Sequence, residues 1–122
     1  MLYKKFSIKT SSQIKFYNKT ISIDSDKSIS IRSFLIGSIS HNISEVKNIL
    51  ESEDVFSCIN CLRKLGVRIK KIKAKHYLIY GKGLGSFQAA KNLVLDCGNS
   101  GTTARLLVGL LSTNPELKVK IK

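Results

Sequence analysis

The sequence predicts an α/β (α+β) domain in which helices cover mixed β-sheets. Three observations predict it. Apolar residues change from a period of two to a helical spacing and back along the chain. Twice, a strand-like run passes through a turn of small polar residues into a helix start, at 21–32 and at 93–105. The 122 residues are 43% hydrophobic and 24% charged, enough for one core and too apolar for a disordered chain.

The elements follow in order. Phe6 and Ile8, Ile14 and Phe16, and Ile21 and Ile23 each stand two apart, the period of half-buried strands. Asp24-Ser25-Asp26 ends that alternation. From Lys27, Ile31, Leu35 and Ile39 recur at helical spacing, with Asp26 as N-cap and Ser40-His41-Asn42 as the stop. A short strand is expected over Glu45–Leu50. Ser52 caps a second helix, with Glu53 and Asp54 in the first turn, where the dipole favours acids. Val55, Ile59, Leu62 and Leu65 line its face and Gly66 ends it. Val67–Ile72 and His76–Tyr80 predict a hairpin, Gly81–Gly85 a loop, and Leu93–Leu95 a short buried strand. The third helix is expected from Thr102 to Leu111. Its apolar residues nearly encircle it, which predicts a core helix. Pro115 follows it, and Val119–Ile121 begins another strand.

Composition excludes several classes. No stretch approaches the roughly 18 apolar residues of a membrane span. No secretory signal is expected, because Lys4 and Lys5 are followed by alternating polar residues and not an apolar run. Residues 1–23 hold no acid, as in a transit peptide, but they also hold no Arg and alternate like strands, so none is expected. Cys58, Cys61 and Cys97 are an odd set, no disulfide framework, and point to a reducing cytoplasm. The net charge is +13, carried mostly by Lys, with one cluster from Arg68 to Lys75. Such a balance suits nucleic acid, an anionic surface or small anionic substrates. Aromatic residues are only 7% and Trp is absent, so a stacking platform for single strands is poorly supplied. Neither nucleic acid nor membrane is an expected partner; a solvated basic surface accounts for the charge.

Two motifs could carry chemistry. In Asp26-Lys27-Ser28-Ile29-Ser30-Ile31-Arg32, free N–H groups at a helix start meet a mobile cation and a hydroxyl. Arg32 lies four residues after Ser28 on the same face and could grip a phosphate or carboxylate. In Gly98-Asn99-Ser100-Gly101-Thr102-Thr103-Ala104-Arg105, two glycines let backbone approach a ligand, and polar side chains surround them. Each motif also fits a plain capped helix. Two such junctions in one short chain, each followed by Arg, favour a site for a multiply anionic ligand. Gly81-Lys82-Gly83-Leu84-Gly85 has the wrong spacing for a dinucleotide fingerprint. Cys58-Ile59-Asn60-Cys61 lies inside the second helix, so small core-facing residues are expected there, not a redox or metal pair. His41 and His76 are expected on the surface or in a strand, and no metal site is expected.

At these motifs the chain resembles the N-terminal part of the 3-phosphoshikimate 1-carboxyvinyltransferase (EPSP synthase) family. Asp26-Lys27-Ser28-Ile29-Ser30-Ile31-Arg32 is similar to its shikimate-phosphate motif, and Cys97-Gly98-Asn99-Ser100-Gly101-Thr102-Thr103-Ala104-Arg105 to its second signature. Ser52-Glu53-Asp54-Val55 and Leu65-Gly66-Val67 are similar to the helix between them. The family usually has Pro-Gly where this chain has Asp24-Ser25, and His where it has Ile31. The UDP-N-acetylglucosamine enolpyruvyl transferases share the fold but carry Lys-Asn in place of Lys27-Ser28.

The resemblance implies a partial enolpyruvyl transferase-like fold of βαβαββ-type units. Residues 1–20 would be first strands belonging to a second domain otherwise absent, and residues 21–122 an incomplete N-terminal substrate-binding domain. The implied reaction transfers enolpyruvyl from phosphoenolpyruvate to the 5-hydroxyl of shikimate 3-phosphate, releasing phosphate, in the shikimate pathway to chorismate and the aromatic amino acids. Lys27 would be catalytic. Lys27, Ser28 and Arg32 would hold shikimate 3-phosphate; Lys27, Asn99, Gly101 and Thr102 would hold phosphoenolpyruvate; Arg105 would support that side. No cofactor and no metal are implied, and the full-length family member is a monomer. The family chain is much longer, so this one is expected to be a fragment, inactive alone and prone to association. A UDP-N-acetylglucosamine enolpyruvyl transferase and a basic nucleic-acid-binding module are the alternatives.

Overall fold

The computed structural model describes residues 23–122, and the strands expected between Phe6 and Ile21 lie outside the described residues. The element order is α1 (Lys27–Ser38), β1 (Ile43–Lys47), α2 (Glu53–Lys64), β2 (Arg68–Lys73), β3 (His76–Tyr80), β4 (Leu93–Leu95), α3 (Gly101–Leu111) and β5 (Val119–Ile121). Every element expected from residue 27 onward is present.

β1, β3 and β2 form an antiparallel sheet in that order, and β4 pairs with β5 in parallel. The hairpin of β2 and β3 is as expected. β1 is displaced from the expected Glu45–Leu50. Its register on β3 sets Ile43 against Tyr80 and Lys47 against His76. Asn48, at φ 57°, then turns the chain, so Ile49 is buried after the strand instead of within it.

The alternation of β3 explains which face is inward. Tyr77 and Ile79 are buried, while His76, Leu78 and Tyr80 are half-covered on the other face. Ile69 of β2 stands opposite Ile79 and is buried too. The helices lie on this inner face. Phe34 of α1 meets Tyr77 edge-on, with ring centroids 5.4 Å apart. Ile31, Phe34, Leu62, Leu65, Ile79 and Leu107 are fully enclosed and join all three helices to the sheet.

Two serines buried in α1 are satisfied locally. Ser30 Oγ donates to the Asp26 carbonyl (2.6 Å) and accepts from the Leu50 N–H (3.0 Å), which ties the start of α1 to the chain entering α2. Ser38 Oγ donates to the Leu35 carbonyl.

The loop after β3 crosses the C-terminal ends of all three helices. Lys82 N–H donates to the Ser38 carbonyl of α1, and Gln88 N–H to the Leu65 carbonyl at the end of α2. Asn114, just past α3, donates from Nδ2 to the Gly85 carbonyl. Three C-terminal ends gathered on one loop place the three N-terminal starts together at the opposite end.

One expectation is corrected. α3 is not buried all round. Thr103, Leu107 and Leu111 are enclosed, but Leu106 and Val108 are 39% and 56% exposed. Among the described residues, only one side of α3 has helices to pack against.

Candidate functional site

The site is built where the helix starts meet. At α1, Asp26 has extended backbone and its Oδ1 accepts from the Ile29 N–H at 2.7 Å, the N-cap that the sequence predicts. Lys27 is then the first residue of α1 and Ser28 the second, half-buried. Arg32 follows one turn later, exposed, beside the groove that Leu35, Ile36 and Leu106 line.

At α3, Ser100 is the cap. Its Oγ accepts from the Thr103 N–H (3.1 Å) and donates to Thr103 Oγ1 (2.8 Å). Both residues are buried, so the turn leading into α3 is anchored from below. Gly98 has φ 57°, and a Cβ there would lie 2.9 Å from Ser57 Oγ of α2. Only glycine lets the turn pass that close to α2. Asp96 Oδ1 accepts from the Gly98 N–H at 2.9 Å, while Oδ2 pairs with Lys122 Nζ at 3.0 Å. These contacts, the Gly98 N–H first, hold the Asp96 carboxyl below its ordinary range. Asn99 projects from this turn and is exposed; Gly101 opens the helix and Thr102 is half-buried. Arg105 folds back, so that a Cβ on Gly101 would stand 3.4 Å from its Nη1.

α2 joins the two motifs. Lys27 Nζ lies 2.7 Å from Asp54 Oδ2, which brings the start of α1 to the start of α2. One turn further, Ser57 stands against Gly98, which brings α2 to the turn before α3. No hydrogen bond or ion pair among the described residues links Lys27 directly to Asn99 or Thr102. Three dipoles therefore present their positive ends with Lys27 nearby, an arrangement that attracts anions.

Ser52 occupies the N-cap position, yet its side chain makes no capping bond, and its Oγ is buried without a partner. The first turn is closed by backbone alone, Phe56 N–H to the Ser52 carbonyl. Asp54 does sit in the first turn, but as the partner of Lys27 it belongs to the site, which reading it as a dipole residue missed. Only the distance between the two helix starts reveals it; the sequence separates the pair by 27 positions.

The cysteines face the core, as expected of a pair inside a helix. Cys61 donates to the Asp96 carbonyl at 3.2 Å and contacts Cys97. Burial pushes the Cys58 and Cys61 thiols up to about 12 and raises Cys97 as well, so they are packing groups and not nucleophiles. His76 is a strand residue bonded to Glu45 (2.7 Å), as its position predicts. Among the described residues, no helix is long and apolar enough to cross a membrane.

Comparison with known proteins gives the same family on independent grounds. A sequence profile described as EPSP synthase (3-phosphoshikimate 1-carboxyvinyltransferase) matches residues 12–121. A 3-phosphoshikimate 1-carboxyvinyltransferase of Syntrophomonas wolfei is 41% identical over 91% of this chain and 26% of its own. That of Caldicellulosiruptor saccharolyticus is 50% identical over 76% of this chain and 21% of its own. A solved EPSP synthase from Acinetobacter baumannii superposes with TM-score 0.68 at 37% identity, covering 75% of this chain and 21% of that one. The chain thus spans about a quarter, or less, of the relatives it matches. The motif residues, the order of elements and these matches agree: the chain belongs to the 3-phosphoshikimate 1-carboxyvinyltransferase (EPSP synthase) family.

Proposed function

We propose that the protein supplies part of the substrate site of a 3-phosphoshikimate 1-carboxyvinyltransferase. The whole enzyme would transfer enolpyruvyl from phosphoenolpyruvate to the 5-hydroxyl of shikimate 3-phosphate and release phosphate. The observation that carries this reading is the convergence of the two family signatures on neighbouring helix starts, joined through α2 by Lys27–Asp54 and by Ser57 against Gly98. Both substrates are phosphorylated anions, and helix N-termini with Lys and Arg nearby suit them.

In this reading, Lys27, Ser28 and Arg32 hold shikimate 3-phosphate. Lys27, as the catalytic cation, also reaches phosphoenolpyruvate, whose other partners are Asn99, Gly101 and Thr102. Arg105 supports Gly101. The chain's contribution is positioning and charge neutralisation, and a second domain closing over the substrates would exclude water. Residues 21–122 belong to the N-terminal substrate-binding domain and residues 1–20 to the second. The reading asks for no cofactor, places the enzyme in the cytoplasm as a monomer, and gives nucleic acid no part.

The test is a chimaera in which this chain replaces the matching segment of the Syntrophomonas wolfei relative. Phosphate release that needs both substrates, and ends with Lys27→Ala, supports the reading. The 122-residue chain alone is expected to release none. A folded chimaera that stays inactive, or prefers UDP-N-acetylglucosamine, overturns it.

A further inference from the structure

The proposed reaction ends with phosphate among cations, and something must help it leave. We propose that Asp54 is a positioning residue for Lys27: a built-in counter-ion that an arriving phosphate displaces, and that retakes Lys27 as inorganic phosphate departs. This deepens the anion-site reading above and rests on it.

The geometry is asymmetric in a way that suits exchange. Lys27 Nζ is 2.7 Å from Asp54 Oδ2, with the Lys27 side chain 50% exposed and that of Asp54 18%. The carboxylate is the enclosed partner, set on the first turn of α2; the ammonium is on a long stem facing solvent. Lys27 can therefore turn to a ligand while Asp54 stays in place. The other charged groups at the helix starts do not take over either role. Asp26 is committed to the Ile29 N–H. Glu53, Arg32 and Arg105 make no salt bridge among the described residues, and Arg105 lies against Gly101. An arriving phosphate must take Lys27 from a carboxylate that competes for it and repels the ligand, so Asp54 weakens the hold on anions. For a reaction with phosphate as product, weaker holding favours turnover.

The experiment uses the 122-residue chain and inorganic phosphate at fixed pH and ionic strength. Binding is followed through the amides of Lys27, Ser28 and Asn99–Thr102, together with the Asp54 side-chain carboxyl carbon signal. In the wild type, the Asp54 signal should move along the same saturation curve as the amides, since the ion pair opens when phosphate binds. Asp54→Asn should tighten phosphate binding by about fivefold, the upper range for an exposed pair. Asp54→Glu, which keeps a carboxylate within reach, should restore the wild-type affinity. Unchanged or weaker binding in a folded Asp54→Asn protein, or an Asp54 signal that ignores phosphate, overturns the proposal alone. The wild-type carboxyl signal decides the matter if the variant does not fold. If phosphate, phosphoenolpyruvate and shikimate 3-phosphate all leave the wild-type amides unmoved, the anion-site reading falls and this proposal with it.

Discussion

Gly98 shows how much one residue decides at the turn into α3. It combines φ 57° with a close approach to Ser57 Oγ, which would lie 2.9 Å from a Cβ. An L-residue in that conformation costs about 1–2 kcal/mol before any contact is counted. Gly98→Ala is therefore expected to lower the melting temperature and to weaken phosphoenolpyruvate binding by displacing Asn99 and Gly101. Removing the nearby hydroxyl with Ser57→Ala, which keeps α2 helical, should recover the contact part but not the backbone part. A Gly98→Ala protein that melts and binds like the wild type would sink this account. The sequence marked Gly98 as a residue that lets backbone approach a ligand; that the close approach is to Ser57 of α2 emerges only from the fold. The sequence could not mark Asp54, whose partner Lys27 is distant in sequence and near only after α1 and α2 pack.

At the scale of elements, caps and the Glu51 network set the local stability. Ser100→Ala removes both bonds to Thr103 at the buried start of α3, and should cost about 1 kcal/mol by the usual worth of an N-cap. Ser52→Ala offers the control. Its side chain makes no capping bond, so chemical denaturation should show a smaller loss there. Glu51 lies just before α2 and accepts from Lys71 of β2 (2.8 Å), the Tyr77 hydroxyl of β3 (2.6 Å) and the Lys75 N–H between them (3.1 Å). These bonds, led by Lys71, lower its carboxyl to about 2 from an ordinary 4.5. A lowered carboxyl stabilises the fold fully above the ordinary value and loses that contribution as pH falls towards the folded one. Stability should therefore drop between about pH 4.5 and 2, and Glu51→Gln should flatten that part of an acid-unfolding profile. An unchanged acid profile in Glu51→Gln would remove the network from the account. The elements themselves were legible because helix and strand periods are local. The end of β1 was not, since its pairing on β3 and the turn at Asn48 set it.

For the molecule as a whole, the decisive quantity is the apolar surface left on the side of the helices away from the sheet. Ile36 of α1 is 66% exposed and Leu106 of α3 is 39% exposed, facing the same groove. Between the two helices runs a groove of about 320 Å³ lined by Leu35, Ile36, Ile39, Leu106 and Leu110. The all-round apolar pattern of α3 was legible, but the core helix it predicted is not what the described residues form. What the pattern could not show is that the described residues cover only one side of it. Contiguous apolar patches of this kind drive association in water. The net charge of +13 opposes it, because like-charged copies repel over roughly a Debye length. The two effects respond oppositely to salt. Raising ionic strength from about 10 mM to 150 mM shortens the Debye length from roughly 30 Å to 8 Å, and so removes repulsion while leaving the apolar attraction. Sedimentation should show the purified chain associating more strongly as salt rises. Ile36→Lys, at the groove, should weaken that association without lowering the melting temperature, since its side chain already faces water. Association that weakens with salt would instead identify it as electrostatic, with Glu45, Glu53 or Glu116 of one copy meeting the lysines of another.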